Sequence, residues 1–440
     1  MIDRAVAAGV FVCADAYKPR ILPVRQQAQV KNRWLKERLD TVLPEVMKRE
    51  GFDLWIVVAK EWNEDPAIMT LLPEPLLTAT ATLVFALNPD GSVERFTISH
   101  RPQGEFYKPA WYLEEESEWQ CLAKLVRERN PKVIGLNISK EYAHSAGLSH
   151  IDYTQVASAL GEELMSRTKN AERLTVGWLE RRTPLELTVY PGIVEMSHAI
   201  IAEALSSRVI QPGITTAEDV AWWMRQKMQD LGAPAWFRPT IDLQACGEPF
   251  EDWDSMFFHH GERKEPREVI MPGDVVHCDM GLKYLGLCTD QQENAYVLKP
   301  GETDAPAGLK AALAVGNRLQ DIHAEAMVAG RTGNQILEAA MARAREEGIN
   351  AIIYTHPIGL HGHGAGPSIG SWPKRGGPVP GHGDYELFED TCYSIEFMVT
   401  VAVPEWGGQE VRIALEEDAV FTGGKLGWLA GRQTHFHLVG

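Results

Sequence analysis

Two stretches in the second half of the chain read alike. "VIQPGITTAEDVAWWMRQKMQDLG" (Val209–Gly232) and "MVAGRTGNQILEAAMARAREEG" (Met327–Gly348) each place a glycine turn, a polar start, an amphipathic helix and a closing glycine in the same order. A helix with one apolar face must lay that face on something. Two such copies predict a pseudo-symmetric domain in which helices cover two halves of one sheet. The start of this domain is also marked. Thr183-Pro184-Leu185-Glu186 combines an N-cap threonine, a first-position proline and a glutamate three residues on, so a long helix is expected from there to about Leu205.

The texture before that point is different. Arg25–Arg49 reads as an amphipathic helix stopped by Gly51. Phe52–Ala59 (FDLWIVVA) reads as a buried strand, and Leu83–Leu87 and Val93–Ile98, joined by Asn88-Pro89-Asp90-Gly91, as a hairpin. Lys132–Leu136 adds another strand. The expectation is an α/β domain over residues 1–175 and a second domain over 176–440, with the boundary inside Ser166–Thr183. The net charge of −17 repels polyanions and anionic membrane surfaces, which argues against nucleic acid or such membranes as main partners. Six scattered cysteines with no C-x-x-C pair point to buried thiols in a reducing compartment. No apolar run approaches the ~18–20 residues needed to span a bilayer. Ala5–Ala14 behind Arg4 is similar to a trimmed secretory signal, but Asp3 and Asp15 argue against a working one, so a cytoplasmic location is expected.

Four segments carry chemistry. In Pro272–Val297, "PGDVVHCDMGLKYLGLCTDQQENAYV", one strand ends at Asp279 and Asp290 sits on the returning strand, so both carboxylates can reach a shared point. Hard divalent cations take such oxygen ligands. In Tyr354–Trp372, "YTHPIGLHGHGAGPSIGSW", His356, His361 and His363 fall within eight residues among glycines, which let the backbone come close to a ligand. His361 and His363 share a face if the segment is extended. "LFEDTCYSIE" (Leu387–Glu396) and "EVRIALEEDAVFT" (Glu410–Thr422) are strand-like runs with a glutamate where a buried side chain is due. A carboxylate inside a strand is costly unless it is paired or binds metal. Read alone, each segment also fits surface carboxylates or a glycine-rich loop.

Read together, these segments resemble the metal-dependent pita-bread peptidases: methionine aminopeptidase, Xaa-Pro aminopeptidase and prolidase. The family order Asp, Asp, His, Glu, Glu is complete, and the 11-residue step from Asp279 to Asp290 fits it. The first ~170 residues are similar to the creatinase-type N-terminal domain of the last two, so the resemblance covers nearly the whole chain. It implies a creatinase-type N-terminal α/β domain followed by a pseudo-symmetric pita-bread α+β catalytic domain. It implies two divalent ions, with manganese, cobalt, zinc or iron all compatible, held by Asp279, Asp290, a histidine at 361 or 363, Glu396 and Glu416. Glu416 rather than Glu417 follows from counting six residues back from Thr422. Two ions sharing carboxylates can hold a water and lower its pKa toward neutrality, and Glu396 would be the base for it.

The resemblance also assigns substrate-side histidines: His259 or His260 upstream of Asp279, and His356. The family has His-x-x-Gly at the metal histidine and a second histidine seven residues later. Counted from His363 or His361, that place holds Gly370 or Ser368. Gln291-Gln292-Glu293-Asn294 replaces a Thr/Arg-containing run, Ala414 replaces an arginine, and Phe397 replaces a proline. The expected activity is cleavage of Xaa-Pro bonds in peptides or dipeptides by a homodimer. A creatinase-like amidohydrolase acting on a small amide, and a binding module without catalysis, are the rival readings. Both predict loss of metal ligands.

Overall fold

The computed structural model describes residues 13–101, 103–248 and 267–440. Most of the N-terminal apolar stretch, and both His259 and His260, lie outside them. The described residues divide into two compact units, 22–186 and 187–440, with residues 13–21 grouped with the second. The division falls at residue 186, beside the stretch Ser166–Thr183 expected to hold the boundary. The cause is local: β6 (Thr168–Asn170) pairs into the first sheet beside β5 (Ile134–Leu136), and α5 (Glu172–Glu180) packs on α2 (Val42–Glu50).

In the first unit the expected single helix is two, α1 (Val24–Asp40) and α2, broken at Thr41 and stopped at Gly51, whose φ of 72° is the left-handed cap. The six strands run β4 (Lys108–Pro109), β3 (Val93–Ile98), β2 (Ala81–Leu87), β1 (Leu54–Ala59), β5, β6. β2 and β3 form the expected hairpin. All six residues of β1 are buried, as a central strand requires. Helices α3 (Glu118–Arg129) and α4 (His150–Met165) cover this sheet.

The second unit begins within α6 (Pro184–Ala204). The Thr183 N–H donates to Glu186, and the Glu186 N–H donates to the Thr183 hydroxyl, a reciprocal cap. The two repeated segments become α7 (Ala217–Asp230) and α9 (Gly333–Glu346). Each starts with the same device, Thr216 with Asp219 and Thr332 with Gln335. Between them run β7 (Thr240–Gln244), β8 (Val275–Met280), the short pair β9 (Lys283–Tyr284) and β10 (Leu287–Cys288), β11 (Gln291–Val297) and α8 (Ala307–Ala326). β12 (Asn350–Ile353), β13 (His356–Pro357), β14 (Thr391–Val403), β15 (Gln409–Thr422), β16 (Lys425–Trp428) and β17 (His437–Val439) complete a nine-stranded sheet, ordered β12-β14-β15-β11-β8-β7 along its main path. The long β14–β15 ladder packs alternate residues, Ile395, Phe397, Val399, Ile413 and Leu415, against Leu309, Leu313, Leu319 and Ile336 of α8 and α9. The intervening residues face the other side, where the site lies. Among the described residues, no helix is long and apolar enough to cross a membrane.

His323 on α8 is buried in this helix layer, and burial holds its pKa down at about 4. The folded form therefore keeps the ring neutral while the unfolded chain protonates near 6.5. The stability this contributes is present above pH 6.5 and is lost as pH falls through about 4, an effect of about 3 kcal/mol. His323→Leu should remove that part of the acid sensitivity in melting curves between pH 7 and 4. An unchanged slope would count against it.

Candidate metal centre

Cross-strand pairing puts the acidic residues in adjacent rows. Asp279 on β8 lies opposite Gln292 on β11, Gln292 opposite Glu416 on β15, and Glu416 opposite Glu396 on β14. Side chains in such a row share one face of the sheet. The next row holds His356 opposite Ser394, and Ser394 opposite Asp418, whose Oδ2 accepts the Asp290 N–H at 3.2 Å. Asp290 stands immediately before β11 rather than inside it.

The side chains converge. His356 Nε2 lies 3.3 Å from Glu416 Oε1, 3.6 Å from Asp290 Oδ2 and 3.9 Å from Glu396 Oε2. Asp279, Asp290 and Glu416 form one group with ligand atoms close enough to share an ion, and His356, Glu396 and Glu416 form another. Glu416 belongs to both. Ser394 donates to Glu416 Oε1 at 2.6 Å. Burial, and next the Glu416 charge, pushes the carboxyls of Asp279, Asp290 and Glu396 well above the ordinary range. Burial alone would depress His356, but Glu416 and Glu396 outweigh it and raise it to about 9. Asp279 Oδ1 and Asp290 Oδ1 are buried with no hydrogen-bond partner. Buried carboxylates in such numbers call for cations. An oxygen-rich donor set with an imidazole fits divalent metal ions.

The histidines differ from expectation. His356, assigned by resemblance to the substrate side, is the imidazole among the four carboxylates, because β13 pairs it with β14 beside Glu396. His363 is exposed and groups with Asp290 and His356, its ring 4.8 Å from that of His356. His361 is in none of these groups. Residues 359–363 form bends, so the premise that His361 and His363 share an extended face does not hold. Gly362 sits against the Trp236 indole, where a Cβ would come within 2.3 Å of the ring. His356-Pro-Ile-Gly359 itself satisfies His-x-x-Gly, and His363 follows His356 by seven residues. The second histidine is therefore present once the count starts at His356. Gly370 and Ser368 are not its replacements.

Glu417 points to the opposite face. There it accepts the Gln433 N–H at 2.6 Å and lies 3.3 Å from His198 Nε2, while His198 Nδ1 lies 2.5 Å from Glu293. His437 also contacts Glu293. The sequence reading missed this buried group, along with His277 and Tyr354 and the contacts that Gln292 makes. Gln292 donates to both Glu396 and Glu416. His277 stands behind it at 3.0 Å. Tyr354 is buried beside Ala414 and Met398, and burial together with the Glu396 charge raises its hydroxyl pKa. A lone polar residue inside the apolar run of β8 was the available signal for His277.

The pattern of Metallopeptidase family M24 matches residues 193–422. No curated protein matches the chain in sequence. Among solved structures, an X-Pro aminopeptidase from Thermotoga maritima MSB8 is similar at 18% identity and a TM-score of 0.62, over 90% of this chain and 100% of that one. An Xaa-Pro dipeptidase from Bacillus anthracis is similar at 17% and 0.61, over 92% and 99%. A zinc-substituted aminopeptidase P from E. coli in complex with product is similar at 12% and 0.56, over 92% and 95%. These likenesses share the pita-bread fold with this chain. With the family pattern spanning more than half of the sequence, and the acidic rows lying within it, the chain belongs to metallopeptidase family M24.

Proposed function

We propose that this chain is an Xaa-Pro-type peptidase that uses two divalent ions and acts at the amino end of peptides or on dipeptides. The observation that carries this reading is Glu416, which belongs both to the group with Asp279 and Asp290 and to the group with His356 and Glu396, while Asp290 Oδ2 lies 3.6 Å from His356 Nε2. His356, Asp290, Glu396 and Glu416 would hold one ion, and Asp279, Asp290 and Glu416 the other. Bound there, the ions would polarise the substrate carbonyl and acidify a water. Glu396 would take a proton from the attacking water and pass it to the leaving nitrogen. His363 at the exposed rim would donate a hydrogen bond to the carbonyl oxygen as its charge grows. Trp236, 5.2 Å from the His363 ring and tied through Nε1 to the Thr289 carbonyl, offers a flat wall for a proline ring. The names of the similar structures support the Xaa-Pro preference.

The test is a screen of Xaa-Pro and Xaa-Ala dipeptides and longer peptides, with manganese, cobalt, zinc or iron added to stripped protein. Metal-dependent cleavage confined to Xaa-Pro is expected. Metal-independent hydrolysis of a small amide would favour a creatinase-like amidohydrolase. Failure to bind any of the ions would favour a binding module.

A further inference from the structure

Gln292 is a neutral side chain standing between the ligand carboxylates Asp279 and Glu416 in their cross-strand row. It is fully buried. Its Nε2 donates to Glu396 Oε1 at 2.5 Å and to Glu416 Oε2 at 2.8 Å. Its Oε1 faces His277 Nε2 at 3.0 Å, and His277 Nδ1 lies 3.4 Å from Asp242. An Nε2–H on His277 fixes which end of the amide points at the carboxylates. Register makes this arrangement specific: Asp242, His277 and Asn294 form the neighbouring row, and Asn294 Nδ2 donates to the carbonyl of Ala414. Because Ala414 ends at Cβ, no basic side chain reaches the ligand row from that position.

The two carboxylates are thereby divided by oxygen. Glu416 Oε1 and Glu396 Oε2 face His356, while Glu416 Oε2 and Glu396 Oε1 are held by Gln292. An ion at His356 meets oxygens that are already oriented. Glu416 also groups with Asp279 and Asp290, and its oxygen not turned to His356 is the one that Gln292 holds. We infer that Gln292 is a positioning residue that makes the two metal positions unequal, strengthening the His356 side and competing with the Asp279 side.

This inference rests on the two-metal reading, and calorimetry on stripped protein separates the two. Titration with manganese should resolve two steps about a hundredfold apart. Gln292→Met keeps the volume and loses the donors. It should bring the steps to within about tenfold, the first weakening and the second tightening, since outer partners of ligands typically set about 10–100-fold in affinity. His277→Phe, which frees the amide to turn over, should narrow the gap in the same direction and serves if Gln292→Met does not fold. Two equal steps in the unaltered protein, or an undiminished gap in a folded variant, would overturn the role of Gln292 and leave the metal centre standing. No binding at all would overturn both.

Discussion

His356→Ala should release the ion held beside Glu396 and abolish cleavage, while His361→Ala keeps both metal content and turnover. The loss should exceed the roughly 10–100-fold in affinity that removing an outer partner costs, because His356 is the imidazole facing Asp290, Glu396 and Glu416. Removing it also leaves three carboxylates facing one another without a counter-charge. His363→Ala should behave differently from both. Metal content should hold, and turnover should fall by about 10²–10³, as for loss of one donor to a developing oxyanion. Metal analysis beside single-turnover rates distinguishes the three. Full metal content in His356→Ala would move the ligand elsewhere in the loop.

A second large effect is expected at neighbouring positions with opposite outcomes. Glu416→Gln removes the carboxylate common to both ligand groups, so both ions should be lost or greatly weakened, and activity with them. Glu417→Gln should retain the ions and activity. Its cost should appear in stability, about 1–3 kcal/mol, because the buried carboxylate serves the Gln433 N–H and faces His198. Metal analysis paired with denaturation measures both. Exchange of the two phenotypes would place the wrong face of β15 in the site.

The carboxylates were legible in the sequence because alternation in strands is a local property. Glu396 and Glu416 stand where β14 and β15 should bury a side chain, and counting from Thr422 selects Glu416. The histidine was not legible in the same way. β13 is only two residues long and exists through its pairing with β14, so nothing near His356 announces a strand. The glycines around His361 and His363 drew the ligand assignment to them, although the bends there place Gly362 against Trp236. Gln292 and His277 depend on cross-strand neighbours more than ten residues away.

The transverse row has a consequence for how the chain must assemble. Side chains alternate along a strand, so a slip of β15 by one residue against β14 would turn every β15 side chain to the other face. It would turn Glu417 toward the ions and Glu416 toward His198. It would also turn Ile413 and Leu415 away from the helices that cover them, so the same buried face that packs the core selects the register of the site. The short connection between β14 and β15, with Pro404–Trp406 followed by Gly407 and Gly408 in left-handed conformations, sets the count of residues between the strands. A single insertion or deletion in that turn must be absorbed there, by a changed loop or a bulge, if β15 is to keep Glu416 on the metal face.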